Sequence, residues 1–367
     1  MFQLNMDCEG PLTQNDNAFE LCQHFIPQGG KFFSLVSKYD DFLADVVRKP
    51  GYKAGDTLKL VLPFLKAYGV SDKDMEEFSQ RTLVLLPGTD VMLPKVNGLA
   101  PSFIISTSYR PYIEALCKVT GFPMENCYCT QVTMDDYPIS DSEVSRLKDI
   151  AAEIASMQML QWPDEAKGLE DLAEEHQRNI KRLNEIFWEI IPSMSVGIVM
   201  EKVNPVGGSE KARAVQDSLK RTGKGADRVI YAGDSITDTQ ALELVNGAGG
   251  VAISFNGNKY ALRSAEYALL SDNTCILYGL TDLVSKRGKA FLDGLPADEQ
   301  AVVDIDALIR GLEEVSTNQE VLDQIRGSRE KGTLEIYRVS GCDLPSLIAK
   351  SERFRKEVRG FKVGELG

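Results

Sequence analysis

The sequence predicts an α/β chain built around a parallel, doubly wound sheet. Short apolar, β-rich runs recur at residues 2–6, 102–105, 128–133, 228–232 and 250–254. Helical patterns separate most of them, which is the rhythm of βαβ units. Three of the runs end on polar residues able to do chemistry, and open α/β sheets bind ligands at the carboxyl ends of their strands. These stations are Asp7-Cys8-Glu9-Gly10, Ser106-Thr107, and Gly233-Asp234-Ser235 followed by Asp238. Lys211 stands between the last two.

Taken in order, the first run alternates Gln3 and Asn5 with Phe2, Leu4 and Met6, an unusually polar strand. Thr13 and Ser106 then stand 93 positions apart, and Ser106 and Lys211 105 apart. A whole βαβ unit needs only ~30 residues, so both gaps hold inserted structure. The first insertion, residues 14–94, reads as short helices at 41–47, 57–68 and 72–80, with turns at Pro27-Gln28-Gly29-Gly30 and Lys49-Pro50-Gly51. The second, residues 134–195, is helical and charged. Its Ile150, Ile154, Met157 and Leu160 follow the spacing of an amphipathic surface helix. This assigns residues 1–13, 95–133 and 196–291 to the core. Pro205-Val206-Gly207-Gly208 leads back into it, and Ser209 is read as the cap of a helix over 212–219. A helical, polar extension fills residues 292–367, with a helix at 299–315. Its basic stretch at 350–362 is expected to be a solvated face.

Composition narrows the function. With 43% apolar residues, the 367-residue chain can bury a large core, and no apolar run approaches the ~18 to 20 residues of a membrane span. A net charge of −13 argues against nucleic-acid or anionic-membrane partners. It is compatible with a small phosphorylated substrate, because a metal ion can supply local positive charge. The N-terminal residues lack a signal-peptide pattern, and seven cysteines are too few and too odd for a disulfide framework. A cytoplasmic protein is expected. Cys127-Tyr128-Cys129 lacks partners for a metal site and reads as buried structure. Oligomeric state is not legible.

Each station has a chemical and a plain reading. Asp234 and Asp238, four apart after a glycine turn, can bind a hard cation; alternatively, Asp238 caps the following helix. A GDS serine esterase would need a general base, and His24 and His176 both lie upstream with no carboxylate–histidine pair. Asp7 suits nucleophilic attack on phosphorus and Glu9 proton transfer to the leaving group, although a solvated turn would use the same residues. Lys211 opposes the dipole of the helix it starts by ~0.3 to 1 kcal/mol, so an anion held at that helix start explains it better than helix stability does. Ser106 and the Thr107 amide can hold a phosphate oxygen, or simply form a turn.

The order Asp-x-Glu-Gly, apolar-Ser, Lys, Gly-Asp-Ser-x-x-Asp resembles motifs I to IV of the haloacid dehalogenase (HAD) superfamily of phosphohydrolases. The two insertions fall where that superfamily places its caps, after motif I and after motif II. The resemblance implies a Rossmann-like core with Asp7 as nucleophile, Glu9 as acid/base, and Ser106, Thr107 and Lys211 as phosphate contacts. It implies Mg²⁺ held by Asp7, the Glu9 carbonyl, Asp234 and Asp238, the last directly or through water. One departure is Glu9, where the superfamily's phosphatases usually carry Asp. Relatives of phosphoserine phosphatase with homoserine phosphotransferase activity show a similar D-x-E-G, so transfer to a hydroxyl acceptor stands beside hydrolysis. The long insertions are similar to an archaeal branch labelled as associated with energy-converting hydrogenase. That likeness adds a third expectation, a non-catalytic accessory or binding protein of a larger complex. The sequence holds no residues set out for nickel or iron–sulfur binding.

Overall fold

Near-continuous apolar runs buried on both faces pair in parallel, and that is how this chain builds its centre. The computed structural model describes residues 1–360 and Gly364. The five expected runs become β1 (Gln3–Met6), β2 (Ser102–Tyr109), β3 (Cys127–Thr130), β4 (Val229–Gly233) and β5 (Val251–Phe255), joined by β6 (Tyr267–Ser271) and β7 (Leu334–Arg338). They form one sheet in the order β3-β2-β1-β4-β5-β6-β7. All neighbours pair in parallel except β7, which runs antiparallel to β6. The α/β class is as expected. The extension departs from the helical reading in one respect, since it supplies the edge strand β7.

The strand order reverses between β1 and β4. The chain winds outward from β1 through β2 to β3 on one side, and from β4 through β5 to β6 on the other. Such a switch point opens a crevice at the carboxyl ends of the two central strands. Met6 pairs with Ala232, and the Asp7 N–H donates to the Ala232 carbonyl at 2.8 Å. The residues following the two strands therefore emerge side by side.

The first insertion holds α1 (Asn17–Phe25), α2 (Gly29–Asp41), α3 (Thr57–Ala67) and α4 (Asp72–Thr82). The glycine pair read as a turn opens α2 instead; the reversal sits at Gln28, at φ 55°. The helix expected at 41–47 is a π-turn over Phe42–Val46 that continues α2. Next, α5 (Thr89–Leu99) joins the sheet's core, its Met92, Leu93 and Val96 sharing one apolar cluster with Leu4 and Met6. After α6 (Arg110–Thr120), the second insertion carries α7 (Asp141–Ser156) and α8 (Glu174–Glu185), and α9 (Ile198–Lys202) follows it. Met157 and Leu160 lie beyond the end of α7, on an irregular segment. The two insertions share one apolar cluster: Phe32, Phe33 and Phe64 from the first pack with Ile150, Ile154, Leu183 and Phe187 from the second.

The remaining helices are α10 (Ser209–Thr222), α11 (Thr239–Gly247), α12 (Lys259–Ser264), α13 (Cys275–Arg287), α14 (Lys289–Asp293), α15 (Ile305–Val315), α16 (Gln319–Lys331) and α17 (Leu344–Arg359). The polar residues of β1 are explained by α10. Gln3 Nε2 and Asn5 Nδ2 both donate to Ser218 Oγ, at 2.8 and 3.0 Å, and the Thr222 hydroxyl donates to Gln3 Oε1 at 2.6 Å. Gln3, Asn5 and Ser218 are fully buried, so this ladder satisfies groups that would otherwise destabilise the fold. It also pins α10, and with it Lys211, against the central strand. All seven cysteines are free thiols, Cys117 and Cys127 lying 3.5 Å apart at sulfur. Among the described residues no single helix is long and apolar enough to cross a membrane.

Candidate active site

The switch point gathers four of the expected residues. Asp7 follows β1, and Lys211 reaches it from the first turn of α10, Nζ to Oδ2 at 2.5 Å. The same ammonium donates to Asp238 Oδ1 at 2.7 Å. Asp238 is not the side-chain cap of α11. Its Oδ1 also accepts the Tyr231 hydroxyl at 2.8 Å, and its Oδ2 accepts the N–H groups of Asp234 and Ser235 at 3.0 and 3.1 Å. It thereby folds the turn after β4 back on itself. Nor does Ser209 cap α10: that position belongs to Gly208, whose φ of 53° and ψ of −120° suit only glycine. The Gly208 N–H bonds the Thr237 carbonyl at 2.9 Å, tying the start of α10 to the same turn.

Burial pushes the Asp7 carboxyl up to about 8; Lys211 opposes that rise, while Asp238 and Asp234 add to it. For Lys211 burial acts against the charge, but Asp238 and Asp7 outweigh it and hold the ammonium above its ordinary value. Glu9 stands in the same cavity, with Oε1 accepting the Asn17 N–H at 2.8 Å. Burial first, and the nearby Asp16 second, push its carboxyl well up. Ser106 is fully buried, its Oγ accepting the Ser108 N–H at 3.1 Å. Thr107 lines the cavity and Ser106 does not; the Thr107 hydroxyl donates to Val206 O at 3.0 Å. Ser235 also lines the cavity, but no histidine does, which leaves the serine-esterase reading without a base.

The cavity itself is about 80 Å³ and is bounded by the sheet's loops, the first insertion and α17 together. Ser37 and Asp41 of α2 join its wall to that of a larger cavity of about 900 Å³, which lies between α2, α12 and α17. Lys31, Lys38, Lys259 and Lys356 line the larger space, alongside Asp41 and Glu352. Two further cations of the first insertion, Arg48 and Lys49, lie outside both cavities. The Lys49 ammonium stacks on Trp188, 3.5 Å from the ring centre.

Sequence reasoning missed three residues of the inner site. Asp16 caps α1 through the Phe19 N–H and faces the cavity. Arg355 and Arg359, from the stretch expected to be a solvated face, are instead buried at 3% and 9% exposure, and both pair with Asp234 Oδ2. The signal was the four-residue spacing of Ser351, Arg355 and Arg359, which puts all three on one side of α17. Lys362 of the same stretch lies outside the described residues.

One oxygen each of Asp7, Asp234 and Asp238 lies within 4.8 Å of the others, all three residues buried. Six carboxyl groups and two guanidinium groups line the inner cavity. This excess of hard oxygen donors over cationic groups fits a divalent cation such as Mg²⁺.

No protein-family model and no curated protein matches this chain. Among solved structures, gene product AF1437 from Archaeoglobus fulgidus matches over 100% of this chain and 99% of its own, at 29% identity and TM-score 0.76. That likeness takes in the insertions and the extension as well as the sheet. A HAD family hydrolase from Salmonella enterica serovar Typhi aligns over 69% of this chain and 61% of its own, at 12% identity and TM-score 0.39. Substrate-bound phosphoserine phosphatase aligns over 73% and 91%, at 10% identity and TM-score 0.41.

Proposed function

We propose that the chain is a haloacid-dehalogenase-type phosphatase that hydrolyses a small phosphate monoester through a phosphorylated Asp7, with Mg²⁺ as cofactor. One observation carries the reading: Asp7, Lys211, Asp234 and Asp238, scattered through the sequence, meet at the switch point of the sheet. That is where such a fold binds ligands, and the set combines a nucleophile, a fixed cation and metal-binding carboxylates.

In the proposed reaction a carboxylate oxygen of Asp7 attacks phosphorus, and the bond from phosphorus to the leaving oxygen breaks. Glu9, whose carboxyl burial pushes well up, gives its proton to that oxygen. Water then loses a proton to Glu9 and attacks phosphorus, the bond to Asp7 breaks, and free phosphate leaves. Lys211 faces the charge that develops on the phosphoryl oxygens. Mg²⁺, when held by Asp7 and Asp234 with Asp238 and the Glu9 carbonyl beside them, would neutralise more of that charge. The larger cavity would take the leaving group, with Lys31 and Lys38 suited to an anionic substituent. Seven free cysteines support a reducing, cytoplasmic setting.

With a generic aryl phosphate and Mg²⁺, the native chain should turn over, and Asp7→Asn should abolish turnover while leaving the fold intact. Retained activity in that variant would sink the assignment. A second reading, transfer to a hydroxyl acceptor, is favoured by the confined inner cavity, which limits water around Glu9. Candidate alcohols should then yield a phosphorylated acceptor in addition to free phosphate.

A further inference from the structure

We propose that α17 is a working part of the catalytic centre, with Arg355 and Arg359 as positioning residues for Asp234. The inference rests on the reading that Asp234 ligates the divalent cation. Both guanidinium groups bind one carboxylate oxygen, Oδ2: Arg359 through Nη1 at 2.8 Å, and Arg355 through its own Nη1. Neither is a loose counter-ion. Arg355 Nη1 also donates to the backbone carbonyl of Asp234 at 3.1 Å. Arg359 Nε and Nη2 donate to the carbonyls of Gln14 and Asn15, at 3.1 and 2.7 Å. The two side chains thus join the turn after β4 to the loop that follows Asp7.

Gly10 also closes on the same oxygen. Its φ is 105°, and a Cβ at that position would overlap Asp234 Oδ2. Oδ2 is therefore confined by two arginines and a glycine, whereas Oδ1 makes no hydrogen bond among the described residues and is left for a cation. Ligating carboxylates are ordinarily oriented by hydrogen bonds of this kind, and losing such a partner costs about 10- to 100-fold in metal affinity or activity.

Two effects oppose each other when an arginine is removed. Orientation of Asp234 is lost, which weakens cation binding; repulsion between guanidinium and cation is also lost, which strengthens it. Six carboxyl groups already outnumber the two guanidinium groups around the cavity, so orientation is expected to dominate. The helix has other anchors: Ser351 Oγ donates to Gly257 O at 2.6 Å, and Leu347 packs with Leu262, Ala268 and Leu270. Variants at 355 and 359 should accordingly keep α17 seated.

The test is calorimetric titration of Mg²⁺ and Mn²⁺ into the full chain, without substrate. Asp234→Asn should abolish binding. Arg355→Ala and Arg359→Ala should each weaken it ~10- to 100-fold, with partial recovery on adding guanidinium ion. Arg355→Lys should recover less, because an ammonium lacks the planar fork. Unchanged affinity in both alanine variants, with Asp234→Asn still inactive in binding, overturns the inference and leaves the proposed function standing. Tighter binding overturns it too, and makes the arginines competitors of the cation. Cation binding that survives Asp234→Asn instead overturns the metal reading beneath it.

Discussion

Asp40, on the last turn of α2, shows how a single buried carboxyl can report on the packing of the first insertion. It is 3% exposed, its Oδ1 accepts the Tyr52 hydroxyl at 2.5 Å, and its Oδ2 accepts the Gly55 N–H at 2.8 Å. Burial nevertheless pushes the carboxyl up to about 7. In the unfolded chain it gives up its proton near pH ~3.9. Between those values the folded state holds a proton that the unfolded state has lost. Stability therefore falls as pH rises through that window, by at most about 1.4 kcal/mol per unit from this group. Asp40→Asn should flatten that part of the slope in denaturant titrations at pH 5 and pH 7.5; an unchanged slope would mean that Asp40 is ionised in the fold throughout. Individual site residues were legible in the sequence where chemistry and position coincide. Asp7 and Asp234 each follow an apolar strand, and Lys211 stands where helix stability disfavours it. Asp16 and the two arginines were not legible. Their roles depend on contacts made across hundreds of positions, and a cap aspartate or a pair of arginines four apart is equally ordinary on a solvated helix.

At the scale of elements, the polar ladder between β1 and α10 converts an odd strand into a positioning device. Ser218 Oγ accepts from Gln3 and Asn5 and donates to the Val215 carbonyl at 2.7 Å. Lys211 lies two turns earlier on the same face of the helix. Ser218→Ala strands the Asn5 amide in a fully buried setting, and an unsatisfied buried group costs about 1–3 kcal/mol. A drop of that size in unfolding free energy, at constant denaturant sensitivity, is the expected result. A neutral variant would show that the ladder relaxes around the missing hydroxyl. The polarity of β1 was visible in the sequence, but its partner was not, because the residues that satisfy it are over two hundred positions away. Strands β6 and β7 escaped notice for local reasons. Tyr267-Ala268-Leu269-Leu270 is a run as compatible with helix as with strand. In β7 Leu334 and Ile336 alternate with Glu335 and Tyr337, the weak one-sided pattern of an edge.

For the whole molecule, the sheet and the insertions divide the labour. The core brings the four chemical residues together at one switch point, while α2, the segment 55–58 and α17 wall the cavity beside them. An inner cavity of about 80 Å³ is far smaller than the ~300–1,000 Å³ typical of a small-molecule site, so in the proposed reaction it would hold only the phosphoryl end, with the adjoining space of about 900 Å³ taking the rest. The two insertions act as one body if they cannot fold apart. Their shared cluster says they cannot: Phe64 of α3 packs on Phe187 at 6.1 Å between ring centres, and Tyr39 of α2 stacks on the same ring at 5.7 Å. The Tyr39 hydroxyl also takes the Trp188 indole N–H at 2.8 Å. Replacing residues 134–195 with a flexible linker would therefore strip the apolar face from α2 and α3. Exposed apolar patches beyond a few hundred Å² rarely persist on a monomer. The shortened chain should bind a hydrophobic dye strongly and lose hydrogen-exchange protection across α1–α4, while β1, β4 and β5 stay protected. If α1–α4 keep their native protection, the first insertion folds alone and the shared cluster is not what holds it together.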